Sequence, residues 1–314
     1  MKRVLNWVLK GESQKHQAEL TLSKFFDEEV VPYLNGKSAD NSIISIFNTH
    51  IRYAIGATLM SELSNQTLDR WVASQRKKGL KLGTINKHIS AINRVLKLAK
   101  RWEFLPANSA RLEDVESLRL GDYSQRFLSE NEIQTLLKEC ARSDHPYLAL
   151  FVRFLLLTGA RNSEARLAKW KNIDIEGKLW IVPISKNGRA RRIVLNSAAL
   201  QVLREIKLQD VNYHPHAENL TYLFTNPQTQ KPYYNFYGAW YKVLDRAGLN
   251  NLRFHDLRHT YASHLINQGV SLYEVQTLLG HSSLQMTQRY AHLQPNLLQK
   301  HTEIMSEVIS RRAE

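Results

Sequence analysis

The run Phe254-His255-Asp256-Leu257-Arg258-His259-Thr260 contains the first residues whose types and spacing suggest chemistry. His255 and Arg258 stand three apart, so on a helix they share one face. A guanidinium there can grip a phosphate through two parallel hydrogen bonds, and an imidazole can shuttle a proton. Further on, Ser271-x-x-Glu274 caps a short helix ending at Leu278-Leu279-Gly280, and His281 follows at once. Tyr290 comes nine residues later, within Thr287-Gln288-Arg289-Tyr290-Ala291-His292. Upstream, Thr158-Gly159-Ala160-Arg161-Asn162-Ser163-Glu164 sets a second arginine straight after a helix end. Asn162 or Ser163 can cap the next helix, whose positive N-terminus adds to any anion site there. His259, Tyr261 and His264 read as packing or helix-surface groups, and Trp170, Trp180 and Trp240 as core anchors.

The elements that must position these residues fall into two sets. Residues 1–18 are polar and mixed and read as an extension or a short docking helix. From there to residue 105 the pattern is helical throughout. Leu22, Phe25, Phe26, Val30 and Tyr33 lie on one face of a helix closed by Pro32 and Gly36. Further helices are expected over 43–55, 66–78 and 84–102, and four helices with short loops make a bundle over 19–105. The fourth presents Lys87, His88, Arg94, Lys97, Lys100 and Arg101 largely off its apolar face, as a helix would that meets a DNA groove or backbone. Residues 106–126 read as a linker. Ser129-x-x-Glu132 is a capping box that opens a second folded unit over 127–293. An apolar core helix is expected over 147–157, ended by Gly159. Strands are expected over 178–184 and 191–195, joined by the hairpin signal Asn187-Gly188. The remainder from 235 to 310 is helical. The expected class is mainly α with a small antiparallel β-sheet.

Charge narrows the partner. Lys and Arg number 43 against 29 Asp and Glu, a formal net charge of +14. Such an excess attracts a polyanion, most simply nucleic acid, through the long-range field. The single cysteine, Cys140, excludes an intramolecular disulfide and a cysteine-built zinc site, and its apolar helical neighbours make it a small core residue. No apolar run reaches the ~20 residues needed to span a bilayer. The N-terminal stretch is a poor signal peptide, broken by Asn6 and Lys10. A soluble, cytoplasmic, nucleoid-associated protein is expected.

Taken together, Leu-Leu-Gly-His-Ser (278–282), His-x-x-Arg (255–258), Thr-Gly-x-Arg-x-x-Glu (158–164) and Arg-Tyr-x-His (289–292) resemble the tyrosine recombinases of the phage-integrase family, in order as well as in spacing. The resemblance spans roughly residues 20–300. It implies a helical core-binding domain of SAM-like type followed by a catalytic domain. It makes Arg161 and Arg258 the clamp on the scissile phosphate, with His255 assisting proton transfer from the nucleophile. His281 would hydrogen-bond the phosphate in the transition state, and Tyr290 would be the nucleophile. Lys186 would protonate the leaving 5′ oxygen from the hairpin, and Glu164 would orient the cluster. Residues 294–314, with Leu297, Leu298, Ile304, Met305, Val308 and Ile309, would form a helix docking on a neighbouring protomer. The implied partners are double-stranded DNA with inverted-repeat half-sites and three further copies, a homo-tetramer on two DNA sites, with no membrane. Backbone phosphates would be met by Lys87, Arg94, Lys97, Arg101, Arg189 and Arg191. One departure is Asn108-Ser109, where the family often shows Asn-Pro.

The chemistry follows from the residues as well. A phosphodiester repels nucleophiles, and fixed cationic donors aimed at its developing charge can supply several kcal/mol. Tyrosine, with an ordinary pKa near 10, needs a base or a strongly positive setting to attack. A phosphotyrosine keeps the energy of the broken link, so rejoining needs neither ATP nor metal. No Gly-x-x-x-x-Gly-Lys loop and no metal-ligand spacing is present, and no cofactor is expected. Two rivals stand beside this reading. A type IB topoisomerase would relax plasmid lacking any target site, and a non-catalytic DNA-binding relative would have a broken catalytic set.

Overall fold

The computed structural model describes residues 20–34, 38–105, 118, 126–183, 190–215, 220–281, 283, 285–291, 303, 305, 306 and 308–310. The chain divides into two compact units between Tyr123 and Ser124. The extension over 1–18, almost all of the linker over 106–126 and the hairpin tip with Asn187-Gly188 lie outside the described residues.

The first unit is helical. Its first helix, α1, runs through Leu22–Phe25, a π turn at Phe26–Val30, and Val31–Leu34. Pro32 was expected to close this helix but lies within it. The preceding π turn has already shifted the ladder, with the Val31 N–H bonded to the Phe26 carbonyl, so the missing proline donor falls at an interruption. The second helix, α2, repeats the device over Ser38–Ile46, a π turn Phe47–Ile51, and Arg52–Ile55. The rings that open the two π turns, Phe26 and Phe47, stack at 3.6 Å. Helix α3 (Asn65–Lys77) is capped by Ser64, and α4 (Leu82–Arg101) follows. Helix α4 buries Ile85, Ile89, Ile92, Val95, Leu96 and Ala99 against this unit's core, an i, i+4, i+7 pattern.

The second unit opens on α5 (Glu130–Ala141) with the Ser129/Glu132 capping box formed on both sides. Helix α6 (Leu148–Thr158) is buried almost all round and ends in Gly159 at φ +59°. A short α7 (Asn162–Arg166) follows. The sheet has three antiparallel strands in the order β1 (Ile173–Asp174), β2 (Leu179–Val182), β3 (Arg191–Val194). Trp180 pairs with Ile193 and Val182 with Arg191. Strand β1 is too short to show alternation in the sequence. Helix α8 (Ser197–Tyr213), absent from the sequence reading, starts at an Asn196 cap that accepts from the Ala199 N–H. Helices α9 (Tyr237–Ala247), α10 (Phe254–Asn267), α11 (Leu272–Leu279) and α12 (Gln285–Gln288) complete the unit.

Aromatic packing fixes α10 in place. Phe151 stacks on Phe236 at 4.1 Å and meets Phe224 and Phe254 edge-on, while Trp240 stacks on Phe254 at 4.3 Å. Each such ring contributes roughly 1.5–3 kcal/mol by burial, and Phe254 is the residue immediately before His255. The Trp240 indole N–H also donates to the Leu252 carbonyl, tying down the approach to α10. Cys140 is buried, and burial pushes its thiol pKa up to about 12, as suits a core residue rather than a reactive one.

Candidate active site

The ends of four elements bring the candidate residues together. Arg161 is the N-cap residue of α7, and Glu164 lies one turn in. The Glu164 carboxylate accepts from the Arg161 backbone N–H at 2.9 Å and from its Nη1 at 2.7 Å. It also accepts from Arg191 Nη2 at 2.7 Å. Burial pushes this carboxyl up, but the hydrogen bond and charge of Arg191, with help from Arg161, outweigh that and hold it below the usual range. Glu164 is thus an ionised clip between two arginines.

Arg191 was expected to face DNA phosphates. Its side chain is instead only 9% exposed and is bound within the protein, donating to Glu164 and to the Leu278 and Leu279 carbonyls. The cause is strand alternation: Arg191 shares the inward face of β3 with Ile193, while Arg192 and Val194 point to solvent.

Arg258 is 2% exposed and sits about one turn into α10. Its Nη1 donates to the Gly159 carbonyl and its Nη2 to the Leu279 carbonyl, each at 2.7 Å. Those carbonyls belong to the C-terminal ends of α6 and α11, the negative ends of two helix dipoles. Both ends close in the left-handed region, at Gly159 and Gly280. Neither glycine has room for a side chain: a Cβ on Gly159 would lie 2.5 Å from the Tyr261 ring, and one on Gly280 would lie 2.6 Å from Arg191 Cδ. Burial, then Arg161 and Arg191, pull the Arg258 pKa down to about 9. Three guanidiniums and one carboxylate leave a surplus of positive charge.

Tyr290 is 2% exposed, packed against Ala262, Ile266, Val275 and Leu279. Burial raises its pKa to about 12, and the opposing fields of Arg289 and Arg258 are smaller. Its hydroxyl lies 2.5 Å from His259 Nδ1. The sequence suggested a packing role for His259, and its helical position gives no other signal. Its ring meets that of His255 edge to face at 4.8 Å. His255 itself is solvent-exposed and lines an open cleft of about 1240 Å³, together with Arg161, Arg166, Tyr237 and Tyr241. Its pKa is lowered, by its surroundings first and then by Arg258. His281 follows Gly280 directly, and its Nδ1 is 2.7 Å from Thr287 Oγ1. Burial, then Arg258 and Arg161, lower its pKa to about 3. All three histidines are therefore neutral near pH 7 and can accept or donate a single proton.

Lys186 and Arg189 lie outside the described residues. In the first unit, Lys87, Arg94, Lys97 and Arg101 are all exposed and fall along one side of α4. His88, expected among them, is 2% exposed and bonded to Gln75. Position 88 adjoins Ile89 on the apolar stripe, and burial lowers its pKa. Among the described residues no three His, Cys, Asp or Glu side chains converge as metal ligands would, and no helix is long and apolar enough to cross a membrane.

The chain is similar to several known proteins. Residues 126–296 match the phage integrase family. The integrase of Salmonella phage P22 is 35% identical over 224 residues, covering 68% of this chain and 55% of its own length. Tyrosine recombinase XerD of Rickettsia bellii is 31% identical over 263 residues, covering 77% of this chain and 84% of its own. The chain spans about half the length of the two phage integrases it matches, those of phage P22 and Escherichia phage 186. Among solved structures, the Tn1549 transposon integrase in complex with a circular intermediate DNA superposes with TM-score 0.73 at 18% identity, covering 91% of this chain and 99% of that one. A lambda integrase dimer bound to a COC′ core site gives 0.67 at 19%, covering 86% and 95%. Fold and geometry define an α-rich unit in which a buried tyrosine lies beside a cluster of arginines. The chain belongs to the phage integrase family, the tyrosine recombinases.

Proposed function

We propose that this protein is a site-specific DNA recombinase that cuts and rejoins strands through a 3′-phosphotyrosine intermediate and a Holliday junction, without ATP or metal. The observation that supports this best is the company of Tyr290. Its hydroxyl is buried under the fields of Arg289 and Arg258, and Arg258 forms with Arg161 and Arg191 a cluster of surplus positive charge, of which Arg161 lines an open cleft. A phosphodiester entering that cleft would bring the charge the cluster lacks, and its transition state would bring more.

In this reading Arg161 and Arg258 hold the non-bridging oxygens, with Glu164 and the two helix ends keeping both forks aimed. His281, neutral, donates to the phosphate as charge builds. Lys186 protonates the leaving 5′ oxygen. The basic side of α4 holds backbone phosphates of the duplex. Four copies would act on two sites made of inverted-repeat half-sites, in the cytoplasm on the nucleoid. Exposed apolar residues Met305, Val308 and Ile309 in the tail support docking of residues 294–314 on a neighbouring copy. So does an open groove of about 440 Å³ on the second unit, lined by Ile133, Leu137, Leu156, Leu157 and Leu265.

The test starts by footprinting the purified protein on the genomic DNA flanking its own gene. The protected site is then rebuilt as a nicked duplex that traps cleavage. Wild type should form a covalent protein–DNA adduct, and Tyr290→Phe should bind with unchanged affinity and form none. An adduct persisting in Tyr290→Phe would sink the assignment of the nucleophile. Strong relaxation of plasmid lacking the site would favour a topoisomerase instead.

A further inference from the structure

We infer that His259, one residue beyond the His-x-x-Arg pair, is the group that receives the proton of Tyr290 as its hydroxyl attacks, the part that the family resemblance gave to His255. The inference rests on the reading of Tyr290 as nucleophile and adds the residue that activates it. Among the described residues, His259 is the hydrogen-bond partner of that hydroxyl, nitrogen to oxygen at 2.5 Å, and both groups are buried, at 5% and 2% exposed. The other two histidines of the cluster are engaged elsewhere. His281 turns its Nδ1 to Thr287. His255 faces the cleft and touches His259 ring to ring rather than reaching the tyrosine.

The direction of the hydrogen bond follows from the proton states. Burial raises the Tyr290 pKa to about 12, so the phenol keeps its proton. Burial, followed by the neighbouring His255, lowers that of His259 to about 4, so the imidazole is neutral. With both groups neutral, the phenol is the donor when the ring carries its proton on Nε2, the tautomer in which Nδ1 accepts. The edge-to-face contact with His255 fixes the plane of the imidazole, and the apolar packing of Tyr290 fixes the ring it serves.

In the forward step the bond from Tyr290 Oη to phosphorus forms and the bond from phosphorus to O5′ breaks. The phenolic proton passes to His259 Nδ1, and O5′ takes a proton from a separate acid, the part assigned to Lys186. An imidazole is far too weak to deprotonate this phenol beforehand. As the oxygen–phosphorus bond forms, however, the phenolic O–H becomes strongly acidic, and transfer turns downhill during the step itself. In religation the imidazolium returns the proton to the departing tyrosinate, so the residue is regenerated.

The experiment measures the first-order rate of adduct formation on the nicked duplex at saturating protein, with DNA affinity measured beside it. His259→Asn keeps an acceptor near the position of Nδ1 but has no useful basicity, whereas His259→Ala leaves a gap that added imidazole can fill. We expect both to slow adduct formation by about 10²–10⁴-fold, the usual range for general acid–base catalysis, with affinity changed less than about threefold. Imidazole should restore part of the His259→Ala rate and none of the His259→Asn rate. A substrate with sulfur in place of the bridging 5′ oxygen, whose leaving group needs no proton, should rescue neither. A His259→Asn rate within about threefold of wild type overturns the inference, as does rescue by the sulfur substrate, which would move His259 to the leaving-group side. If His259→Ala fails to fold, as judged by circular dichroism, His259→Asn decides. Tyr290→Phe runs in parallel: an adduct there topples the nucleophile assignment, whereas a silent Tyr290→Phe beside a fast His259→Asn topples only the inference about His259.

Discussion

At the scale of the residue, the site is a set of protonation states imposed by burial. His259 and His281 are kept neutral, at about 4 and about 3, against an ordinary value of 6.5. Because these folded values are depressed, the unfolded chain takes up protons that the folded chain refuses once the pH drops below about 6.5. The stability tied to each histidine is complete above that pH and is lost on the way down to about 4 or 3, at up to ~1.4 kcal/mol per pH unit per proton. Urea denaturation at pH 7.5, 6.0 and 5.0 should show this fall. In His259→Asn the slope should shrink by about one proton; an unchanged slope would mean that His259 is protonated in the folded protein. Arg258 poses a separate question of geometry. A lysine cannot span the Gly159 and Leu279 carbonyls and also offer a fork to a phosphate. Arg258→Lys should therefore cut adduct formation by at least about 10²-fold while leaving DNA affinity nearly intact, measured in the same trapping assay.

At the scale of the element, the buried arginines of the cluster are held by the ends of helices rather than by their faces. The C-terminus of α6 receives Arg258, and that of α11 receives both Arg258 and Arg191. Two glycines make this possible, since each closes its helix at positive φ and leaves no space for a Cβ. Gly159→Ala should destabilise the second unit by roughly 1–3 kcal/mol, combining left-handed strain with a clash on the Tyr261 ring. Gly280→Ala should push Arg191 off the Leu279 carbonyl and lower adduct yield at constant DNA affinity. Thermal melts and adduct assays on the two variants separate these effects, and a Gly280→Ala enzyme of normal activity would show that Arg191 is dispensable there. In the first unit, α4 offers the complementary case of a solvated basic side. Lys97→Glu should weaken DNA binding about equally for target and random sequence and flatten the salt dependence by about one phosphate contact. A loss confined to the target sequence would instead assign Lys97 to base readout.

At the scale of the whole molecule, a net charge of +14 would drive encounter with the proposed DNA substrate, and binding should weaken steeply between about 50 and about 200 mM salt. The proposed assembly is a separate matter and would rest on apolar surface. Met305, Val308 and Ile309 are 60, 52 and 68% exposed in a single chain, a face that solvent does not favour. Deletion of residues 294–314 should leave single-site binding intact and abolish the slower-migrating multi-protomer complexes in gel shifts. Retention of those complexes would place the assembly contacts elsewhere.

The sequence alone determined what depends on local spacing. His-x-x-Arg put two groups on one helical face, the Ser129 and Ser271 capping boxes announced α5 and α11, and the 3.6-residue apolar period laid out α2 to α4. The four motifs taken together were enough to indicate the family. Pro32 misled because a π turn several residues earlier absorbs its missing donor, an irregularity that leaves no periodic trace. Arg191 misled because proximity to a hairpin says nothing about which face of a two-residue alternation a side chain occupies. His259 was legible only as one more histidine on an apolar helix. What singles it out is a hydroxyl 31 positions away, brought to 2.5 Å by the packing of α11 against α10 and of α12 against α11. Residue types and helix periods are local properties and can be read along the chain. Which imidazole meets which oxygen depends on how elements distant in sequence pack, and only the tertiary structure decides that.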